Sequence, residues 1–185
     1  MPDIAKRRRP AYAAAVDTPK DSPERCLEAA QGWLMLGRPD YAWEELDRMP
    51  DEVRSVPEVV EMEWQICAAD EDWGSAYAVA QRLVIRHPER PSGWIYHAYA
   101  LRRIPVFGVA HAREVLLPAW EKFPQEPTIP YNLACYAAVE GRLDEAWEWL
   151  QRARRVAGDS CLRKLALADE DLAALHERIR QLFDR

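Results

Sequence analysis

The side chains that could carry out acid–base chemistry are sparse in this sequence, and their placement favours structural roles. His97 and His111 lie on two successive predicted helices and could approach each other. Because His97 falls on the apolar side of its predicted helix, we interpret it as a hydrogen-bonded core histidine rather than a general acid or base. The acidic runs at 70–72 and 169–171 fall at predicted turns and helix starts, where carboxylates cap helices and interact favourably with the helix dipole.

Other motifs with a chemical function are missing from the sequence. There is no glycine-rich phosphate loop, nucleophile elbow or metal-binding helix motif. The four cysteines are widely spaced and form no CxxC pair, so they support neither a disulfide framework nor a zinc site. We therefore predict that the protein is not an enzyme and uses no cofactor and no metal. Because the N-terminal residues contain no secretory apolar stretch, we expect reduced thiols and a cytoplasmic location.

The charge distribution bears on the class of partner. The chain of 185 residues has a net charge of −6. Residues 1–21 carry five basic and three acidic side chains, which gives +2, so the remainder carries −6 − 2 = −8. An acidic body argues against a nucleic-acid partner, because such binding depends on a basic surface. The basic run Lys6–Arg9 lies in a segment that we predict to be a flexible N-terminal arm over 1–21, where it is either solvated or in contact with an acidic partner or phosphate.

Small residues recur along the chain at an interval that indicates its architecture. Ala42, Ala76, Ala112 and Ala146 are separated by 34, 36 and 34 residues, and each is followed four positions later by an apolar residue. A period of this length is typical of a helical solenoid, in which each repeat buries its apolar face against its neighbours. Proline and glycine positions divide the chain into four predicted helical hairpins, at about 22–55, 56–90, 91–126 and 127–158. A capping helical segment is predicted over 159–185, and no apolar run is long enough to span a membrane.

These repeats resemble the tetratricopeptide repeat (TPR), a helix–turn–helix unit of 34 residues. In the third repeat the family pattern falls on Trp94, His97, Ala98, Leu101, Ala112, Leu116 and Pro124. The most family-like stretch is in the fourth repeat, where residues 131–136 lead to residues 141–146. The resemblance implies an all-α, right-handed α-solenoid of about four TPR-like repeats with a C-terminal capping helix.

Two repeats depart from the family pattern. Glu63 and Trp64 stand where an apolar and a small residue are expected, so we expect the first helix of the second repeat to be rotated or shifted. The third repeat contains two extra residues near 104–108, and we expect a longer turn there.

The resemblance also implies where a partner binds, because the first helix of each TPR hairpin typically lines a concave groove that holds a peptide or helix of another protein. The groove-facing candidates are Gln31, Glu61, Gln65, Ile95, Tyr99, Arg102, Tyr131, Asn132 and Cys135. The tyrosines either anchor a partner or pack between repeats. With aromatic and acidic residues in this set, we expect an amphipathic or basic partner segment. The predicted function is a protein-interaction scaffold or adaptor; a small cytoplasmic secretion-type chaperone and a homodimeric assembly module are the alternatives.

Overall fold

The computed structural model describes residues 22–183, except for the side chains of residues 159–161 and 183. This part of the chain is built from α-helices and short 3-10 turns, and none of its residues forms a β-strand. The helices are α1 (Pro23–Met35), α2 (Pro39–Asp47), α3 (Pro57–Ala69), α4 (Trp73–Arg86), α5 (Pro91–Arg103), α6 (Gly108–Lys122), α7 (Thr128–Val139), α8 (Leu143–Ala157), α9 (Asp159–Ala168) and α10 (His176–Phe183). The arm predicted over 1–21 lies outside the described residues.

Local sequence signals account for the helix ends. Ser22 caps α1, since its side-chain oxygen accepts a hydrogen bond from the Arg25 backbone N–H, and Pro23 occupies the first helical position. The three-residue turns after α1, α3 and α7 place their central residue in the left-handed region, with φ of 68° at Gly37, 55° at Glu71 and 76° at Gly141. Glycine adopts this conformation at no steric cost, whereas Glu71 adopts it against its intrinsic preference.

The third hairpin has a longer connection than the others, as the sequence predicts. Residues 104–107 separate α5 from α6, whereas the other hairpin turns contain three residues. The turn therefore takes up one of the two extra residues. The other lengthens the first turn of α6, which begins at Gly108, four residues before Ala112, whereas α8 begins at Leu143, three residues before Ala146.

Close helix packing along the array relies on small residues. The recurrent residues Ala42, Ala76, Ala112 and Ala146 are fully buried, with 0% of their surface exposed. Each helix packs against the next along the chain, and α3 also contacts both α1 and α5. One depression is lined jointly by residues of α3, α5 and α7, so the first helices of the hairpins line one common surface, which we call the inner surface.

The C-terminal part closes the array with three short elements instead of one long capping helix. After α9, residues Glu170–Leu175 form a 3-10 turn capped by Asp169, and α10 follows directly. Leu172, Leu175 and Ile179 are at most 1% exposed and join the core of the third and fourth hairpins. This C-terminal unit thus shields the last hairpin from water, as the terminal repeat of a solenoid must. The predicted all-α solenoid with a C-terminal cap is confirmed. No helix among the described residues is both long and apolar enough to cross a membrane.

Candidate functional site

The inner surface contains an open, mostly apolar depression with a volume of about 470 Å³. Three first helices and the start of α4 supply its walls. We call this depression the aromatic groove, and its lining residues are Trp64, Ala68, Ala69, Trp73, Ile95, Tyr96, Tyr99, Thr128 and Asn132. Ile95 and Tyr99 share one face of α5 because residues four apart lie one turn above each other.

Four aromatic rings of the groove are packed against one another. The rings of Trp64 and Tyr96 are nearly parallel, at an interplanar angle of 4° and a centroid distance of 4.0 Å. Tyr99 meets the edge of Trp64 at 5.7 Å and lies 5.9 Å from Trp73. Such contacts hold large side chains in place before any ligand arrives, so little side-chain entropy remains to be lost on binding.

A cation stands at the rim of the aromatic groove. The guanidinium carbon of Arg103 lies 3.4 Å from the centre of the Tyr99 ring and 4.8 Å from that of Trp73. Arg103 Nη1 donates a hydrogen bond of 3.2 Å to the Tyr99 carbonyl oxygen. Burial lowers the pKa of Arg103 below its ordinary value, since a desolvated cation loses favourable contacts with water.

The predicted acidic residue of the inner surface is already used within the protein. Glu61 Oε1 accepts hydrogen bonds from Arg90 Nη1 at 3.2 Å and from the Ser92 hydroxyl at 2.5 Å. Arg90 also pairs with Glu58. These contacts tie α3 to the start of α5, and the positive charge of Arg90 offsets one of the two negative charges.

The C-terminal unit covers another part of the inner surface. The Tyr131 hydroxyl donates a hydrogen bond of 2.8 Å to Asp169 Oδ2, and Cys135 Sγ lies 3.5 Å from the same oxygen. Arg102 forms a bidentate ion pair with Asp171, with N–O distances of 2.5 and 2.6 Å. Burial, reinforced by the charge of Asp169, raises the pKa values of Tyr131 and Cys135 above their ordinary values.

The predicted binding residues therefore fall into separate groups. Ile95, Tyr99 and Asn132 line the aromatic groove. Arg102, Tyr131 and Cys135 are bonded to the C-terminal unit, and Tyr131 and Cys135 are 7% and 3% exposed. Glu61 is engaged with Arg90, Gln65 lies close to the Tyr96 hydroxyl, and Gln31 is an exposed residue of α1 outside the groove lining.

Sequence reasoning missed several residues of this site, most notably Trp64, Trp73 and Arg103. Trp64 had a signal, because it replaces the small residue that the other three first helices carry. Ala30, Ala98 and Ala134 are fully buried, and Trp64 is 7% exposed at the equivalent position. Its larger ring stays buried by stacking on Tyr96 of the next repeat.

The candidate chemical groups make contacts within the protein. The His97 ring lies 5.0 Å from that of Tyr77, and its Nε2 is buried without a hydrogen-bond partner among the described residues, which corrects the expectation that it is bonded. His111 Nδ1 lies 2.7 Å from the Phe107 carbonyl oxygen.

Ligand-type atoms of Cys135, Asp169 and Asp171 lie within 4.8 Å of one another. However, Arg102 compensates the charge of Asp171 there, and the Tyr131 hydroxyl bonds to Asp169.

Comparison with known proteins identifies the fold. The sequence matches no protein-family model and no curated protein sequence. The structure is similar to the crystal structure of a thermophilic TPR protein from Thermus thermophilus, with a TM-score of 0.67 and 18% sequence identity. The similarity covers 88% of this chain and 97% of that chain.

The chain has a TPR fold. At 18% identity the similarity to this crystal structure concerns the fold alone. The fold agrees with the resemblance of the sequence repeats to the TPR. In TPR terms, α1, α3, α5 and α7 are the first helices of four hairpins, and the aromatic groove lies on their inner surface, where the second to fourth repeats meet.

Proposed function

We propose that this protein is a non-enzymatic, cytoplasmic interaction scaffold that holds a peptide or helix of a partner protein in the aromatic groove. The observation that carries the proposal is the open depression walled by the packed rings of Trp64, Tyr96 and Tyr99, with Trp73 beside them. Aromatic side chains in a preformed apolar depression are the residues that contribute most to binding at protein interfaces. The TPR fold supports a protein-interaction role, since solenoids of this kind present extended concave surfaces to partners.

The test uses peptides selected from a random phage-displayed library against the full-length protein. We expect Tyr99→Ala to weaken the binding of selected peptides about thirtyfold, because the loss of an aromatic anchor costs about 2 kcal/mol. Tyr41→Ala is the matched control, since Tyr41 also stacks on a tryptophan, Trp33 at 4.7 Å, but lies in the first hairpin away from the groove. Circular dichroism checks that both variants remain helical.

The result also separates the proposal from its alternatives. Equal binding by the Tyr99→Ala and Tyr41→Ala variants would refute groove binding. A selection that yields no peptide, together with twice the monomer mass in light scattering, would favour the homodimeric assembly module. Co-purification with a secreted protein that is insoluble alone would favour the secretion-type chaperone.

A further inference from the structure

The charge of the inner surface differs from the charge that the sequence suggests. The expectation of a basic partner rests largely on acidic residues such as Glu61, but Glu61 and Glu58 share the guanidinium of Arg90, which offsets one of their two negative charges. Asp72 is likewise engaged, because its carboxylate accepts hydrogen bonds from the backbone N–H and hydroxyl of Ser75. Carboxylates that already accept hydrogen bonds within the protein have fewer acceptor positions left for a basic side chain of a partner.

Arg103 has the opposite character. Among residues 22–183, no carboxylate with a described side chain forms an ion pair with it, although its neighbour Arg102 is held by Asp171. The rings of Tyr99 and Trp73, which line the groove, hold the guanidinium beside them, so its position is defined before binding. Asp171, which is paired with Arg102, also favours the charge of Arg103, but desolvation outweighs this contribution, so an incoming carboxylate would offset a cost that remains.

The C-terminal unit illustrates the kind of segment that the inner surface accommodates. Within seven residues it combines Asp169 and Asp171, which bond to Tyr131 and Arg102, with Leu172 and Leu175, which are buried. A short segment in which acidic side chains are followed by apolar ones is therefore already bound next to the aromatic groove. The groove repeats this chemistry, with apolar walls and a guanidinium beside them.

We infer that the partner segment of the aromatic groove carries an apolar or aromatic side chain, which packs against Trp64, Tyr96 and Tyr99, and beside it an aspartate or glutamate that pairs with Arg103. This inference rests on the proposed function and specifies the partner's chemistry. The partner is acidic and apolar rather than basic.

The experiment is the same phage selection on the full-length protein, followed by measurement of the dissociation constant of each selected peptide. The carboxyl end of each displayed peptide is fused to the phage protein, so the peptide has no free C-terminus. Any carboxylate that binding requires therefore belongs to a side chain. We expect enrichment of Asp and Glu next to apolar residues. We also expect about tenfold weaker binding by Arg103→Gln, since a charge pair that loses one partner weakens a complex by at least this factor.

Two controls keep the result interpretable. Arg86→Gln removes an exposed arginine at the last turn of α4, roughly 20 Å along that helix from Trp73, and should leave binding unchanged. Replacing the enriched acid of the peptide by its amide leaves the protein untouched and should weaken binding to wild type as much as Arg103→Gln does. Added salt should reduce wild-type binding more than binding by the Arg103→Gln variant.

The outcomes separate this inference from the proposed function. Peptides that depend on Tyr99 but bind equally well to the Arg103→Gln variant, or that are enriched in Lys and Arg, would overturn the inference and leave the groove proposal standing. Basic peptides would point instead to the exposed Asp70 and Glu71 in the turn before Trp73. Failure to select any peptide would overturn both.

Discussion

Gly93 offers a sharp test of how the repeats are joined. This residue lies in the first turn of α5 and is buried against α4 of the preceding hairpin. A Cβ atom at position 93 would lie 3.0 Å from Leu83 Cβ, 3.1 Å from the Val84 backbone N and 3.2 Å from the Leu83 carbonyl carbon. Two of these atoms belong to the α4 backbone, so rotation of a side chain cannot relieve the contact.

The expected effect of Gly93→Ala follows from two opposing contributions. Alanine lowers the backbone entropy lost on folding, which stabilises a helix by up to about 1 kcal/mol. Inserting a methyl group into a filled contact costs about 1–3 kcal/mol, because the two helices must move apart. We therefore expect the variant to lose about 1 kcal/mol of unfolding free energy.

Gly32→Ala in α1 is the matched control, because a Cβ there meets no atom of the described residues within 4 Å apart from its own stretch of helix. Only the helix-propensity gain remains, so this variant should be more stable than wild type by up to about 1 kcal/mol. Urea unfolding followed by tryptophan fluorescence measures both changes, and the two variants should differ by about 2 kcal/mol. If Gly93→Ala is as stable as Gly32→Ala, the close approach of α4 and α5 is refuted.

Two further perturbations test the buried ring of His97 in the core and the ion pair between Arg102 and Asp171 of the C-terminal unit. Burial lowers the pKa of His97 below its ordinary value of 6.5. Below about pH 6.5 the unfolded chain therefore binds a proton more readily than the folded chain. As a result, the free energy of unfolding falls as the pH falls. In urea titrations at a series of pH values, the free energy of unfolding of His97→Leu should fall less steeply than that of wild type. Parallel profiles for the two proteins would contradict a buried neutral ring at position 97. Asp171→Asn should lower the unfolding free energy by about 1–2 kcal/mol at neutral pH, because it breaks a bidentate pair that is about a quarter exposed. Asp144→Asn is its control and should be nearly neutral, since Asp144 is 96% exposed in its pair with Arg178; equal losses would contradict a special role for the Asp171 pair.

Local signals account for much of the fold. Proline, glycine and serine positions predict helix ends, and the recurrent alanines predict the contacts between paired helices, because both depend on residues close together in the chain. The extra length of the third hairpin is also visible in the spacing of Ala98 and Ala112. How the extra residues divide between the turn and α6 depends on packing, and the sequence pattern does not contain that information.

The candidate site was harder to predict because it depends on contacts between distant residues. Arg102 and Asp171 are 69 residues apart, and no periodicity links the end of α5 to the C-terminal unit. Tyr131 and Cys135 were correctly placed on a first helix, but only the fold shows that Asp169 bonds to both. Trp64 is the exception, since a tryptophan at a small-residue position is a signal that local reasoning can read.

The most direct test of the central claim is hydrogen–deuterium exchange of the full-length protein with and without a peptide selected by phage display. Binding in the aromatic groove should slow amide exchange in α3, in α5 and in the first turns of α7, and leave α6 and α8 unchanged. Protection confined to α6 and α8, or to the first hairpin, would contradict the proposal that the partner occupies the groove formed by Trp64, Tyr96 and Tyr99.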